Sequence, residues 1–235
     1  MMVPSFSHAL ILGAGSGLSA ALARLFDEKG LRVALAARET VKLQGLAEET
    51  GATLHTCDAK DPQAVAALFA ALDAHGAPDV VVYNPSARVP GPVAEIDPAA
   101  VRDAVGVTAL GAFYAGQQAA QRMIPSGHGA ILFTGATAGI KGYPGSAAFA
   151  MGKFALRGLA QSMARELHPK GIHVGHFVID GGIRNPLREG RMDAPDRPDS
   201  MLDPEAIARS YWHFLEQDRS SWAWEIELRP WVEPF

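Results

Sequence analysis

Sulfur ligands are almost missing from this sequence: Cys57 is the only cysteine among 235 residues. That excludes internal disulfides and any metal centre built on several thiolates. The lone thiol reads as a small buried residue at a strand end. Long apolar runs are missing too. No uninterrupted apolar stretch approaches the roughly 18 residues a bilayer-spanning helix needs, and the run at 9–12 is broken at once by glycines. The segment up to His8 has no basic stretch ahead of an apolar core, so no export signal is read there, and with the cysteine usage this points to the cytoplasm. Nor is there a basic excess: 21 Lys and Arg against 25 Asp and Glu give a formal net charge of −4. Neither nucleic acid nor a membrane surface is an expected partner for such a chain. The histidines show no HxxxH or HExxH spacing. His173 and His176 stand three apart on a strand pattern and so face opposite sides, which leaves no expected metal site.

Hydrophobic residues at 48% and charged residues at 20% fit an ordinary globular protein rather than a disordered or fibrous one. At this length one domain covering 1–235 is expected. Short apolar runs alternate with longer helical patterns, the order that gives a parallel sheet covered on both sides. Strands are predicted near 8–13, 31–37, 52–57, 78–83, 129–134, 172–179 and 224–229. Helices are predicted near 17–29, 39–50, 62–75, 98–123, 145–168 and 203–217, the last opened by Asp203 ahead of Pro204. The fold class is therefore α/β, a doubly wound parallel sheet of about seven strands with helices on both faces. Only 184–202, rich in Pro, Arg, Asp and Met, lacks a period, and a loop this long inside a compact domain is read as a substrate lid.

Three glycines, Gly13, Gly15 and Gly17, fall where the first strand turns into the first helix. Glycine allows the tight turn and lets a pyrophosphate approach the backbone, while the helix N-terminus offers free N–H groups and a partial positive charge. Gly13, Gly15, Ser16, Gly17 and Leu18 are thus the candidate phosphate turn of a dinucleotide site. The second strand ends on Arg38, where NAD-binding chains carry a carboxylate for the ribose hydroxyls. A guanidinium there clamps a 2′-phosphate, so NADP(H) is the expected cofactor.

With these residues in hand the chain resembles the short-chain dehydrogenase/reductase family over nearly its whole length, which implies a Rossmann-like fold. Gly13-x-x-x-Gly17-x-Ser19 is similar to that family's glycine turn, Cys57-Asp58 to its adenine-contacting aspartate, and Tyr83-Asn84-Pro85-Ser86-Ala87 to its NNAG strand end. Residues 145–153 are similar to the helix that carries its catalytic Tyr-x-x-x-Lys. The resemblance implies that Asp58, Asn84, Lys153, Gly181 and Ile183 join the cofactor site, and that the protein forms a homodimer or homotetramer and acts on a small molecule. It also exposes a departure. The tyrosine position is Phe149, the serine position is Ala136, and the position of the helix asparagine is Thr108. Only Lys153 survives of the four. Asp180-Gly181 replaces the Pro-Gly turn of the family, and Asn185 replaces a threonine.

Phe149 has no proton to give, and a general acid is worth roughly 10²–10⁴ in rate. Tyr143, ten residues before Lys153, is the best substitute donor in the sequence; Asp180, water or the substrate itself are others, and Thr134 and Thr137 flank the lost serine. The favoured reading is an NADP(H)-dependent oxidoreductase acting on a carbonyl, alcohol or activated alkene through a non-standard donor. A catalytically impaired NADP(H)-binding sensor or scaffold is the alternative, and a redox-neutral enzyme a third.

Overall fold

The computed structural model describes residues 5–233. Fourteen principal elements alternate along the chain: β1 (His8–Leu12), α1 (Leu18–Glu28), β2 (Arg32–Ala37), α2 (Gln44–Thr50), β3 (Thr53–Thr56), α3 (Pro62–Asp73), β4 (Val80–Tyr83), α4 (Pro98–Val105), α5 (Gly111–Met123), β5 (Gly129–Thr134), α6 (Ala147–Leu167), β6 (Ile172–Ile179), α7 (Pro204–Leu215) and β7 (Glu225–Leu228). The strands form one sheet in the order β3-β2-β1-β4-β5-β6-β7, and every neighbouring pair is parallel. The order reverses between β1 and β4, which opens a crevice at the carboxyl ends of the strands.

Strands buried on both sides explain the unbroken apolar runs of the sequence. Side chains alternate between two cores. Leu10, Leu12, Val81, Tyr83, Ile131 and Phe133 point toward α3, α5 and α6. Ile11, Leu35, Val82, Leu132 and Phe177 point toward α1 and α7. Three helices start on the same local device: Asp61, Asp97 and Asp203 accept backbone N–H bonds from the first turn and are each followed by proline, whose missing N–H costs nothing there.

The pattern at 98–123 predicts one helix, and these residues are helical throughout, with one irregularity. A wide π turn, Gly106–Leu110, separates α4 from α5, as such turns often do at functional sites. The buried Tyr83 hydroxyl donates to the Val107 carbonyl inside that turn. Gly111 follows without a side chain because a Cβ there would run into Tyr83 and the Ala59 carbonyl. The predicted helix at 39–50 starts as a 3₁₀ turn, Val41–Leu43, before α2.

Candidate functional site

The glycine turn is built from both of its neighbours. The N–H groups of Gly13 and Ala14 donate to the Ala36 carbonyl at the end of β2 at 2.8 and 3.0 Å. Gly13 has φ +81°, and a Cβ there would lie 2.6 Å from the Pro85 nitrogen. Nothing lies within 4 Å of the Cβ position of Gly15, so that backbone is open on one side. Unlike α3, α4 and α7, α1 has no side-chain cap, and its first turn holds no acidic residue. Its N–H groups keep their partial positive charge available for an anion. This fits a dinucleotide pyrophosphate: the turn is narrow, the helix end is uncapped and the approach is clear.

Around the turn, Asn84 at the end of β4 donates to the Ser19 hydroxyl at 2.8 Å, and Ser19 donates to the Gly13 carbonyl at 3.3 Å. The Asn84 amide therefore braces the turn from behind. Arg38 is exposed just beyond β2, and Asp58 follows β3 on the neighbouring strand end, where its carboxylate accepts from the Lys60 N–H at 3.1 Å. The two stand on the same flank of the crevice.

Across the crevice stands α6. Lys153 is buried at 2% exposure, and its ammonium donates to the Thr134 carbonyl at the end of β5 at 2.6 Å. Burial first, and then the charge of Arg88, lower its pKa to about 7, since desolvation disfavours the charged form. One turn earlier, Phe149 is 7% exposed and lies 5.9 Å from the Lys153 amine. Thr108, in the π turn, is fully buried against Gly152, whose absent side chain leaves room for it, and its hydroxyl accepts the Ala87 N–H at 3.2 Å. Ala136 is extended and half-buried in the loop after β5. That loop is pressed onto α6: a Cβ on Gly139 would lie 3.2 Å from the Lys153 carbonyl. Lys153, Phe149, Thr108 and Ala136 thus gather at one sheet edge, with one amine, one hydroxyl and two side chains that cannot move a proton.

The substitute donors fare differently. Tyr143 is 46% exposed, its backbone tied to Ser146, and the cation over its ring is Lys141 at 5.7 Å. The Lys153 amine lies over Phe149 rather than beside Tyr143. Asp180 is buried and committed, accepting from the Thr137 hydroxyl and from Arg229 at 2.6 Å. The Thr134 side chain turns away to the Tyr211 hydroxyl at 2.9 Å. Gly181 has φ +151°, and a Cβ there would meet Leu202 and Pro230 at 2.9 Å. Ile183 bridges to Leu202, closing the base of the segment that follows β6. Asn185 reaches from that segment to the Ser16 hydroxyl at 3.2 Å, so this one side chain fastens the start of the segment to the glycine turn.

One residue of this site is absent from the sequence reading. Arg88, exposed at the mouth of the crevice, sets its guanidinium 4.2 Å from the centroid of the Phe149 ring. Its only sequence signal is its place immediately after the strand-end motif 83–87.

Residues 7–193 match the sequence profile of the short chain dehydrogenase family. The chain belongs to that family. Among curated relatives, this short-chain dehydrogenase is 34% identical over 188 residues to (+)-borneol dehydrogenase 1 of Salvia officinalis, covering 74% of this chain and 70% of the relative. Among solved structures it resembles a short-chain dehydrogenase from Rhodopseudomonas palustris at 36% identity and TM-score 0.82, covering 97% of this chain and all of the other. A metagenomic short-chain oxidoreductase in complex with NADP is 27% identical, with TM-score 0.83 over 99% of this chain and 100% of the other. In this short-chain dehydrogenase, His176 lies beneath the loop after β5, where a Cβ on Gly135 would come within 2.5 Å of its ring nitrogen. Burial pushes His176 down to about 4 even though its ring bonds Glu225 at 2.9 Å, so a neutral imidazole faces the carboxylate.

Proposed function

We propose that this protein is an NADP(H)-dependent oxidoreductase, a single Rossmann-type domain with residues 184–202 as its substrate lid, which reduces a small carbonyl compound or activated alkene, or runs the reverse oxidation, with Lys153 as the proton source. The observation that carries the reading is the buried Lys153 amine, bonded to the Thr134 carbonyl at the carboxyl end of β5, the sheet edge on which the uncapped start of α1 also lies.

In this reading the backbone of Gly13, Gly15, Ser16, Gly17 and Leu18 holds the pyrophosphate, Arg38 clamps the 2′-phosphate, and Asp58 meets the adenine. Gly181 and Ile183 seat the nicotinamide, and Lys153 holds its ribose. NADP occupancy in a structural relative and the arginine at 38 support the phosphorylated cofactor. When bound, NADPH supplies the hydride that reaches the carbonyl carbon. The oxygen must then receive one proton. An amine with a pKa of about 7 is matched to proton transfer at neutral pH, whereas an exposed phenol facing Lys141 is not positioned for it. Lys153 delivers its proton to that oxygen and recovers one from solvent. Exposed Leu110 in the π turn, Phe113 on α5, and Met151 and Phe154 on α6 support a homo-oligomer.

The test is NADPH oxidation over a panel of carbonyl and activated-alkene compounds, followed by the pH profile of kcat/KM for any substrate found. Activity that falls as pH rises through about 7 supports Lys153 as the acid. Tight NADPH binding without turnover on any compound would favour the sensor or scaffold reading instead.

A further inference from the structure

Three arginines crowd the mouth of the crevice without acidic partners. Arg88 lies over the Phe149 ring at 4.2 Å, and Lys153 lies 5.9 Å from the same ring. Arg191 sends a guanidinium nitrogen to within 3.1 Å of the Cβ position of Gly182, just past the end of β6. Its backbone carbonyl accepts the Asn185 N–H at 2.7 Å, and its own N–H donates to the Arg188 carbonyl at 3.2 Å. Asn185 in turn is fastened to Ser16, so both arginines ride on a segment anchored to the glycine turn. The two are close enough to Arg88 to contribute, after partial burial, to lowering its pKa.

Of the nearby carboxylates, Asp180 and Asp193 are engaged elsewhere, and Glu189, between Arg188 and Arg191 in the chain, forms no ion pair with either among the described residues. Asp180 is bound to Arg229 and Thr137, while Asp193 faces Arg184 at 3.6 Å and accepts from the Met201 N–H. Among the described residues, no ion pair involves Arg88, Arg188 or Arg191. A chain of net charge −4 has no general basic character to account for them. Like charges held together repel, and an anion between them removes that repulsion. Guanidinium forks match carboxylate and phosphate oxygens in paired hydrogen bonds. An aromatic face under one of them fixes its plane and limits its freedom.

We infer that the substrate of this site is a carbonyl compound, or the matching alcohol, that carries a carboxylate or phosphate, with the anionic group held by Arg88 on its Phe149 platform and by Arg191 and Arg188 from the segment above. The inference rests on the oxidoreductase reading for the reacting carbonyl, but not for the anion. It gives Phe149 a role: the ring that cannot donate a proton positions the residue that selects the substrate.

The shared chemistry, an anion between arginines, has a second source in the cofactor's own pyrophosphate, and the experiment separates the two. Calorimetry first measures NADP⁺ binding. The NADP⁺-saturated protein is then titrated with benzoylformate, 2-oxobutyrate and levulinate, each against its methyl ester, and with glyceraldehyde 3-phosphate against glyceraldehyde. At least one anionic member should bind about tenfold or more tightly than its neutral counterpart, the size of one charge-assisted contact. Arg88→Gln should erase that preference while leaving NADP⁺ affinity unchanged, and Arg88→Lys should keep part of it; circular dichroism checks the fold of each variant. Equal binding of acids and neutral partners across the panel overturns the inference. So does an Arg88→Gln or Arg191→Gln variant that weakens NADP⁺ and leaves the acid preference intact, which would make pyrophosphate the anion. If NADP⁺ does not bind, the oxidoreductase reading falls alone, and the same pairs titrated into the free protein decide this one.

Discussion

Replacing Lys153 with methionine removes a buried amine of similar length from a pocket that disfavours its charge. The pKa of that amine falls from 10.5 to about 7 in the folded chain. At 1.36 kcal/mol per pH unit, leaving the amine neutral at pH 7 while the unfolded chain keeps it protonated costs about 4–5 kcal/mol. Methionine avoids that cost but leaves the Thr134 carbonyl, now bonded to the amine at 2.6 Å, without a partner, a loss of about 1–3 kcal/mol. The variant should therefore be about 1–4 kcal/mol more stable than the parent at pH 7. Between the folded and unfolded pKa values the unfolded chain binds more protons, so the parent gains about 1.4 kcal/mol per unit as pH rises through that window. Below the folded value the penalty is constant. The variant lacks this dependence, so its advantage should shrink steadily from pH 7 to 9 and vanish near the upper end. Urea unfolding followed by circular dichroism at pH 7, 8 and 9 reads the difference directly. A stability gap that stays constant over that range would refute the argument, because it would mean that folded Lys153 titrates at its ordinary value.

Arg38→Ala should weaken NADPH binding by about tenfold or more and leave NADH little changed, as loss of one charge-assisted clamp implies; titration with both cofactors checks it. Gly13→Ala should abolish cofactor binding in the same assay and lower Tm, because alanine at φ +81° is strained and its Cβ would sit 2.6 Å from the Pro85 nitrogen. Phe149→Tyr and Ala136→Ser made together should raise reduction of generic ketones by at least about tenfold over either change alone, since a proton donor and an oxyanion partner act on one oxygen. Tyr143→Phe should leave turnover of an identified substrate within about threefold, whereas a drop of the order expected for a lost general acid, about a hundredfold, would return the proton to Tyr143 and refute the role given to Lys153.

The parts legible in the sequence were those written locally. Alternating apolar runs and helical periods implied the parallel sheet, which appears in the order β3-β2-β1-β4-β5-β6-β7. Asp203 before Pro204 announced α7 because a cap and a first-turn proline are neighbours in sequence. The glycines at 13, 15 and 17 marked the turn for the same reason. What the tertiary structure alone decided depends on partners far apart in the chain. The wide turn at 106–110 follows from a Tyr83 hydroxyl that only the packing of α5 on β4 brings to Val107. Asp180 looked like a free acid until the strand end beside it delivered Arg229. Arg88 was unremarked because its significance comes from Phe149, 61 residues later, and from arginines of a segment without periodicity. The low pKa of Lys153 likewise depends on how deeply α6 sinks it against β5. Residue type and spacing are chain properties, whereas burial and charge neighbourhood exist only once the sheet has assembled.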